Sequence, residues 1–326
     1  MTSVVGIDVG GTKVAVARVK DARATDRAQR PTELDSTEAL LDGIEEAFDE
    51  AIGSGERPRA VGVGVPSQID FQTGTVLSSV NIPLQGVALR EELGSRFGVP
   101  VFVDNDANCA ALAEAQLVPD PPAQHLVMLT LGTGVGGGVV IDGSIERGHT
   151  GLGAELGHIV VDGAAALAAD DDEPFPRPGS LEWHCSGRGL ERAATAVARE
   201  GHGALGATLA ECGRVSDRDG VAAATAGDAQ ALELFEQHGR WLGLGIASIV
   251  NTFEPERVVI GGGLSRASEL FLSAAVAEAR RNTLPKLWER TEVELARGGS
   301  DAGVIGAGVL AAHELQRSGD TQAQST

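Results

Sequence analysis

A short run of carboxylate and amide side chains, Asp104-Asn105-Asp106, directly follows the apolar segment Val101–Val103. The pattern predicts a buried strand that ends where a helix over 107–117 begins. At such a junction a carboxylate can take a proton from a substrate hydroxyl while the neighbouring amide orients that hydroxyl. An Asp or Asn at a helix start is often only a cap, but capping explains one of these side chains rather than all of them. We therefore interpret Asp106 as the candidate catalytic base and Asn105 as a candidate substrate-binding residue.

A further carboxylate, Asp8, lies between two apolar runs, Val4–Ile7 and Val14–Val19, beside a Gly-Gly-Thr turn. Both runs are rich in β-branched residues, which predicts a strand–turn–strand hairpin rather than the strand–turn–helix of a dinucleotide or Walker loop. The paired glycines would present bare backbone N–H groups to phosphate oxygens. Asp8 could hold a hydrated Mg²⁺, which proteins usually bind through few carboxylates and several waters. A plain hairpin turn is the alternative interpretation.

A second glycine hairpin is predicted over Leu126–Ile141, where an apolar strand, a Gly/Thr turn and another strand follow one another. Two such hairpins, one opening each half of the chain, suggest two similar halves that face each other across a nucleotide. A third glycine cluster, Gly261–Ser265, follows the apolar strand Val258–Ile260. It would let the backbone approach adenosine or phosphate closely, and a tight strand–helix turn is the alternative.

Glu155 and His158 end a glycine-rich segment that begins at Gly148. Glycines of this kind bring the backbone close to a ligand. A carboxylate and an imidazole three residues apart could bind vicinal hydroxyls of a sugar, or His158 could ligate a metal. Alone, such a pair is more often an ordinary surface feature, so its weight comes from the surrounding glycines.

The elements that would position these residues follow an alternating pattern. From Leu40 to Ile52 apolar residues recur every four positions, which predicts a helix capped by Asp35 and Glu38. Strand-like and helix-like segments alternate elsewhere, which predicts βαβ units around a mainly parallel sheet. Ligands collect at the carboxyl ends of such strands, where Asp8 and Asp106 both fall.

Two domains are expected from 326 residues, and the proline-rich stretch Val118–Gln124 is the predicted boundary. We predict a small N-terminal α/β domain (1–118 with a final helix at about 302–317), a larger C-terminal α/β domain (119–301) and a disordered tail (318–326). Two stretches carry no clear element: no strand can be placed in 20–32, and 162–179 is predicted as a loop or insertion.

Composition excludes several classes of protein. The net charge is −20, from 26 basic and 46 acidic residues, which argues against nucleic-acid or anionic-membrane partners. No apolar run approaches the roughly 20 residues that a membrane span needs, and the first residues lack a basic n-region typical of a signal peptide. Three cysteines give no disulfide framework, which predicts a reducing, cytoplasmic location.

Together these stretches resemble the ROK family of sugar kinases, within the sugar kinase, actin and heat-shock ATPase superfamily, over nearly the whole chain. The family signature runs from Gly134 through Gly148 to the Ala-Glu-Leu-Gly-His sequence at 154–158, and all of it is present. Further matches occur in the expected order: DVGGTK at 8–13, VDNDAN at 103–108, Leu181-Glu182 before Ser186-Gly187, and Pro255-Glu256 before VVIGGGLS at 258–265.

The resemblance implies two similar α/β domains of the ribonuclease-H-like, actin-like ATPase type, with a nucleotide and sugar cleft between them. It implies a homodimeric enzyme that phosphorylates the 6-hydroxyl of a hexose with ATP and Mg²⁺, most directly glucose to glucose 6-phosphate, with Asp106 taking the proton. The residues implied to contact the sugar are Asn81, Asn105, Asp106, Glu155, His158 and Glu182. Those implied to lie along ATP, with Mg²⁺ near Asp8, are Asp8, Gly10, Gly11, Thr12, Lys13, Thr133, Gly134, Gly262 and Gly263.

One departure from the family concerns its usual structural zinc motif, CxCGxxGCxE, which would end at Glu182. The three cysteine positions are occupied by Glu173, Phe175 and Ser180. Because His158 alone cannot hold zinc, we predict that the structural zinc site is lost and that no zinc is bound. Three prolines at alternate positions within Glu173–Gly179 would restrain the loop, and Phe175 and Trp183 would pack where the metal sits in the family.

Other functions remain open at this point. Mannose, fructose, allose or an N-acetylhexosamine could replace glucose, because a few pocket contacts separate these sugars. Some ROK members are sugar-responsive repressors with a DNA-binding segment before the first hairpin, whereas here a strand is expected from Val4 and the charge is strongly negative. Polyphosphate as donor would call for a track of Lys and Arg, which the sequence does not show.

Overall fold

The computed structural model describes residues 3–117, 122–201 and 203–324. The strands are β1 (Val4–Val9), β2 (Lys13–Lys20), β3 (Arg23–Pro31), β4 (Ala60–Val65), β5 (Gln68–Asp70), β6 (Thr75–Ser78), β7 (Val101–Asn105), β8 (Leu126–Leu131), β9 (Val135–Ile141), β10 (Ser144–Ile145), β11 (Arg257–Gly261) and β12 (Glu292–Leu295). The helices are α1 (Thr37–Ile52), α2 (Leu89–Phe97), α3 (Asp106–Leu117), α4 (Gly163–Ala168), α5 (Leu181–Cys185), α6 (Gly187–Ala198), α7 (Gly203–Cys212), α8 (Asp217–Thr225), α9 (Ala229–Phe253), α10 (Leu272–Asn282), α11 (Pro285–Trp288) and α12 (Ala302–Gln324).

The first sheet has the strand order β3-β2-β1-β4-β7. Strand β1 pairs antiparallel with β2, which is the predicted hairpin, and parallel with β4, which pairs parallel with β7. Asp8 lies opposite Gly64, and Val65 lies opposite Asn105. The carboxyl ends of three parallel strands therefore share one edge, as the sequence predicted, and Asp8 and Asn105 lie along it.

One face of this sheet packs directly against α12, with glycines at the points of contact. A Cβ on Gly62 would lie 1.7 Å from the carbonyl oxygen of Ala307. A Cβ on Gly306 would lie 1.6 Å from the carbonyl oxygen of Cys109 in α3. Since no side chain fits at either glycine, the backbones of α12, β4 and α3 approach more closely than other residues would allow.

The other face of the sheet carries the main apolar core, formed with α1 and α2. Phe48 and Phe97 stack there with ring centroids 4.1 Å apart. The predicted helix is confirmed, but its predicted cap is wrong by one residue. The Ser36 hydroxyl, rather than the Asp35 carboxylate, accepts the hydrogen bond from the Ala39 N–H at 3.1 Å. A serine hydroxyl at this position is as good a cap as a carboxylate.

The second sheet has the order β10-β9-β8-β11-β12, with β11 and β12 parallel. The 25-residue helix α9 packs on α10 through Gly239 and Gly243. Added Cβ atoms there would lie 2.3 Å from the Phe271 carbonyl oxygen and 2.5 Å from that of Ala275. The mostly helical sequence between Leu181 and Asn251 accordingly forms α5 to α9.

The chain divides into two compact units. Unit 1 comprises residues 1–128, 138–154 and 296–326, and unit 2 comprises 129–137 and 155–295, so the division passes through β8 and β9. The domain limits predicted from the sequence stay a prediction. Residues 118–121 of the predicted boundary, and 325–326 of the predicted tail, lie outside the described residues.

Three segments differ from the sequence predictions. Strand β3 occupies most of the stretch 20–32, where no strand could be placed from the sequence. It was not recognised because only Ala28 is fully buried and most of the other residues are polar. Helix α4 interrupts the predicted loop at 162–179, because the Asp162 carboxylate accepts from the N–H groups of Ala164 and Ala165 and starts a helix. Helix α12 continues to Gln324, so residues 318–324 of the predicted disordered tail are helical. No described helix is both long and apolar enough to cross a membrane.

Candidate active site

Asp106 is the first residue of α3, at the point where β7 ends. Its carboxylate accepts from the Ala107 N–H at 2.9 Å, and the Asn105 side-chain oxygen accepts from the same N–H at 2.8 Å. The Asn105 amide group donates to the Ser67 carbonyl oxygen at 3.3 Å. Both side chains therefore cap the start of α3, and a role in catalysis for Asp106 and Asn105 stays a prediction.

Asp8 lies in unit 1 within electrostatic reach of Asp106. Burial first, and then the charge of Asp106, raise the pKa of Asp8 to about 6, while Lys13 acts in the opposite direction. A Cβ added to Gly303, at the start of α12, would lie 2.5 Å from the Asp8 carboxylate, so only glycine leaves room for it. Asp8 and Lys13, predicted to lie along ATP, and Asp106, the predicted base, therefore lie near one another within unit 1.

These two carboxylates suit a divalent cation that is bound mainly through waters and phosphate oxygens. A raised pKa means that the folded protein disfavours the second negative charge, and a cation would relieve this. Among the described residues, no group of three His, Cys, Asp or Glu side chains could hold a metal ion alone. Mg²⁺ commonly takes one or two protein carboxylates and completes its shell with water and substrate, so Asp8 is the residue that could hold it.

The first hairpin turn differs in detail from its prediction. The Gly10 N–H donates to the Lys13 carbonyl oxygen at 2.8 Å and closes the turn, so it is not bare as predicted. Gly11 and Thr12 are exposed, and the position of a Cβ on Gly11 has no atom within 4 Å. The open side of the turn is therefore at Gly11 and Thr12. Asn81, predicted to contact the sugar, is exposed in the segment before α2.

In unit 2 the predicted sugar-binding residues gather around the start of β9. The Glu182 carboxylate accepts from the Val135 N–H at 2.8 Å. Gly157 lies directly on the same strand, because its Cβ would be 2.2 Å from the Val135 carbonyl oxygen. Gly157 belongs to the 3₁₀ turn Leu156–His158, whose last N–H donates to the Glu155 carbonyl oxygen at 3.0 Å. The start of β9 thus positions both Glu182 and the turn that carries Glu155 and His158. The side chains of Glu155 and His158 are exposed.

A cavity of about 560 Å³ in unit 2 adjoins the second hairpin turn. Its lining includes two residues predicted to lie along ATP, Thr133 and Gly263. Gly262 has φ +85°, and its Cβ would lie 2.3 Å from the Leu131 carbonyl oxygen, so glycine is required there. Two arginines that sequence reasoning missed, Arg218 and Arg266, also line the cavity. Arg266 directly follows the glycine cluster 261–265 and could have been found from it, whereas Arg218 lies on α8, outside every recognised pattern, and only tertiary packing reveals it.

Comparison with known proteins decides the family. The model of the ROK family matches residues 4–314. The chain is 35% identical over 315 residues to a glucokinase of Halalkalibacterium halodurans, with 94% of each chain covered. The chain belongs to the ROK family. The ROK hexokinase of Thermus thermophilus has a similar structure, with a TM-score of 0.80, 36% identity, and coverage of 97% of this chain and 99% of that one.

A ROK-family glucokinase of Streptomyces griseus, solved in complex with glucose and AMPPNP, is also similar, with a TM-score of 0.73 and 31% identity. The alignment covers 95% of this chain and 99% of that chain. The predicted family, the actin-like α/β fold and the predicted class of enzyme, a sugar kinase with glucokinases among its relatives, are therefore confirmed.

The region of the ROK zinc motif shows one wrong prediction. Phe175 was expected to be buried where the metal sits in the family, but it is 75% exposed; its ring contacts that of His158 in a T-shaped arrangement, with 5.4 Å between the centroids. Trp183 is half-buried and packs instead against the Arg192 guanidinium, 3.5 Å from the ring centroid. The flanking prolines restrict the backbone of this loop but do not by themselves determine whether the Phe175 ring is buried. The absence of bound zinc stays a prediction.

Proposed function

We propose that this ROK protein is an ATP-dependent kinase that transfers the γ-phosphoryl group of ATP to the 6-hydroxyl of a hexose, with glucose as the preferred substrate. The observation that carries the proposal is the placement of Asp106 at the start of α3, beside Asn105 and within electrostatic reach of Asp8. Phosphoryl transfer needs chiefly positioning and charge stabilisation, and one base beside a cation site supplies both.

In this proposal Asp106 accepts the proton of the sugar 6-hydroxyl while the oxygen of that hydroxyl forms a bond to the γ-phosphorus of ATP. The bond between the γ-phosphorus and the β–γ bridging oxygen breaks, and ADP leaves. Asn105 orients the hydroxyl, and Glu155, His158 and Glu182 bind the other hydroxyls of the sugar. Asp8 would hold Mg²⁺, and a bound cation would supply positive charge to offset that of the phosphates. Lys13, Thr133 and the glycines of the turns lie along the nucleotide.

The proposal extends to the nucleotide cavity of unit 2, where Arg218 and Arg266 would contact the nucleotide beside Thr133 and Gly263. Arginines provide forked donors that match phosphate or ribose oxygens. A homodimer and a cytoplasmic location remain proposals, since they rest on the family resemblance and on the cysteine count.

An ADP-release assay over a panel of hexoses tests the function. With ATP and Mg²⁺, glucose should give the highest kcat/KM among glucose, mannose, fructose, allose and N-acetylglucosamine. Polyphosphate in place of ATP should give no sugar phosphate. A higher kcat/KM for another hexose would reassign the substrate, and no turnover on any sugar would overturn the proposal in favour of a sugar-responsive regulator.

A further inference from the structure

We infer that Arg147 is a positioning residue for the catalytic base: it fixes Asp104, which in turn fixes Asn105 and the first turn of α3. The inference rests on the proposed role of Asp106. Asp104 belongs to the run at 104–106, but no specific role was assigned to it from the sequence, and no sequence motif assigns Arg147 a role. Their contacts all lie within unit 1.

The ion pair between the two residues is short and buried. The Arg147 Nε donates to Asp104 Oδ2 at 2.7 Å, and the side chains are only 11% and 4% exposed. A second nitrogen of the same guanidinium lies 3.4 Å from the Glu314 carboxylate on α12. A buried charge pair of this kind is costly to separate, because either partner alone would be an uncompensated charge out of water.

The other oxygen of Asp104 acts on the catalytic segment. Asp104 Oδ1 accepts from the Asn105 main-chain N–H and from the Asn108 side-chain amide, both at 2.8 Å. One carboxylate therefore connects the end of β7, the first turn of α3 and the guanidinium of Arg147. Rotation of the Asp104 carboxylate would break its hydrogen bond to the Asn105 N–H. The backbone would then be free to move at Asn105, which directly precedes Asp106.

Arg147 is itself held from the other side by an aromatic ring. Its guanidinium carbon lies 3.6 Å from the centroid of the Phe71 ring, at stacking distance. Arg90 donates to the carbonyl oxygens of Phe71 and Gln72, and these hydrogen bonds fix the backbone that carries the Phe71 ring. Gly151, with φ +94°, lets the segment after Arg147 lie against Phe71, whose N would be 3.0 Å from an added Cβ.

This geometry requires arginine rather than any cation. A planar guanidinium can stack on Phe71 while it donates to Asp104 and approaches Glu314, whereas a lysine ammonium is a single point charge on a flexible stem. A lysine in this place would keep the charge of the pair but lose its orientation. Orientation is the property that the base needs, since a misplacement of about 1 Å can cost about 10²-fold in rate.

A merely structural role would give a different result in a double-mutant cycle. Arg147→Met leaves the Asp104 carboxylate buried without its partner, and a second change, Asp104→Asn, removes that charge. If the pair only stabilised the fold, the double variant would recover activity as it recovers stability. A positioning role predicts that the thermal midpoint recovers while kcat stays about 10–10² below that of the parent.

The deciding experiment measures kcat and the KM values for glucose and ATP at a temperature well below every melting temperature. The proteins compared are the parent, Asp106→Asn, Arg147→Met and the double variant Asp106→Asn/Arg147→Met. Arg317→Met, on an exposed arginine near the same Glu314, is the matched control and should behave like the parent. If Arg147 acts through Asp106, Asp106→Asn should cost much less in the Arg147→Met background, and Arg147→Lys should restore only part of kcat.

Two failures are distinguishable. If Asp106→Asn leaves the parent's kcat unchanged, the assignment of the base fails and takes this inference with it. If Asp106→Asn lowers kcat in both backgrounds by the same factor, the base assignment stands and the inference about Arg147 is overturned. A loss in Arg147→Met that appears in KM for ATP with kcat unchanged would also overturn it.

Discussion

The Glu182 carboxylate accepts a 2.8 Å hydrogen bond from the Val135 main-chain N–H, at the first residue of β9. One residue earlier, a Cβ added to Gly134 would lie 2.7 Å from the same carboxylate oxygen. The glycine of the second hairpin therefore leaves room for the carboxylate that we propose binds sugar. The hairpin that would serve the nucleotide also fixes a group that would serve the sugar, which links the two functions within unit 2.

Gly134→Ala should therefore weaken sugar binding. The new methyl group would push Glu182 away from the Val135 N–H, and a lost hydrogen bond to a charged group costs about 1.5–3 kcal/mol. We expect the KM for glucose to rise by roughly 10–10²-fold, which a coupled assay at saturating ATP would measure. Gly163→Ala is the matched control, because a Cβ there has nothing within 4 Å. A glucose KM that rises equally in both variants would contradict this account.

The raised pKa of Asp8 predicts a pH-dependent requirement for Mg²⁺. Because that pKa is about 6, protons compete with the cation below pH 6, whereas above pH 7 the carboxylate is ionised and the competition ends. The Mg²⁺ concentration for half-maximal rate should rise between pH 7 and pH 5.5 in the parent. Asp8→Asn should need more Mg²⁺ at every pH and lose this part of the dependence, since ATP itself titrates equally in both assays. Parallel pH profiles for the two proteins would remove Asp8 from the cation site.

His238 predicts a second effect of pH, on stability. The ring is buried in unit 2, and neither of its nitrogens makes a hydrogen bond of good geometry. Burial is the largest effect and lowers the pKa of His238 from 6.5 to about 4. The nearby His184 main chain has a smaller, opposite effect. In acid the unfolded chain takes up a proton below pH 6.5 while the folded protein does so only near pH 4. The folded state therefore loses stability as pH falls through this interval, by up to about 3 kcal/mol for this group.

His238→Leu should make urea unfolding less sensitive to pH between 7 and 4.5, because the variant has no proton to take up at this position. The exposed His149 supplies the control, since His149→Leu should leave the parent's pH dependence in place. An unchanged slope of stability against pH in His238→Leu would show that the buried imidazole does not carry the effect.

The altered zinc motif predicts an enzyme that works without zinc. The positions of the three family cysteines hold Glu173, Phe175 and Ser180, none of which supplies a thiolate. Elemental analysis of metal-cleaned protein should find far less than one zinc per chain. A zinc-selective chelator should leave the rate unchanged when Mg²⁺ is supplied. Stoichiometric zinc, or a rate that the chelator abolishes, would point to His158, His184 and Cys185 as ligands.

Local patterns located the strand ends and turns that carry the candidate site residues, but not the tertiary contacts that support them. The run at 104–106 and each of the two glycine hairpins is a continuous stretch of sequence, so strand and turn propensities alone placed them at strand ends. Arg147 lies 43 residues from Asp104, and its pairing depends on where β10 and the following loop lie beside α3. No local pattern encodes such a contact, because it is set by tertiary packing.

The errors in the fold have a similar origin. Strand β3 has one fully buried residue, so its pairing with β2 rather than its own sequence makes it a strand. The cap at Ser36 competed with Asp35 in a sequence where both are good caps. Phe175 was expected inside because it is apolar, yet it is 75% exposed, because burial of a single apolar side chain is set by tertiary packing and not by its type.

The proposed kinase mechanism depends most directly on Asp106. Asp106→Asn keeps an oxygen that can accept from the Ala107 N–H, so α3 should remain capped and the fold should be unchanged. The most direct measurement is the rate of glucose 6-phosphate formation by this variant at saturating glucose and MgATP, with glucose affinity determined separately by calorimetry. The account predicts a kcat roughly 10²–10⁴ lower than that of the parent, with glucose affinity retained. A kcat equal to that of the parent would contradict it.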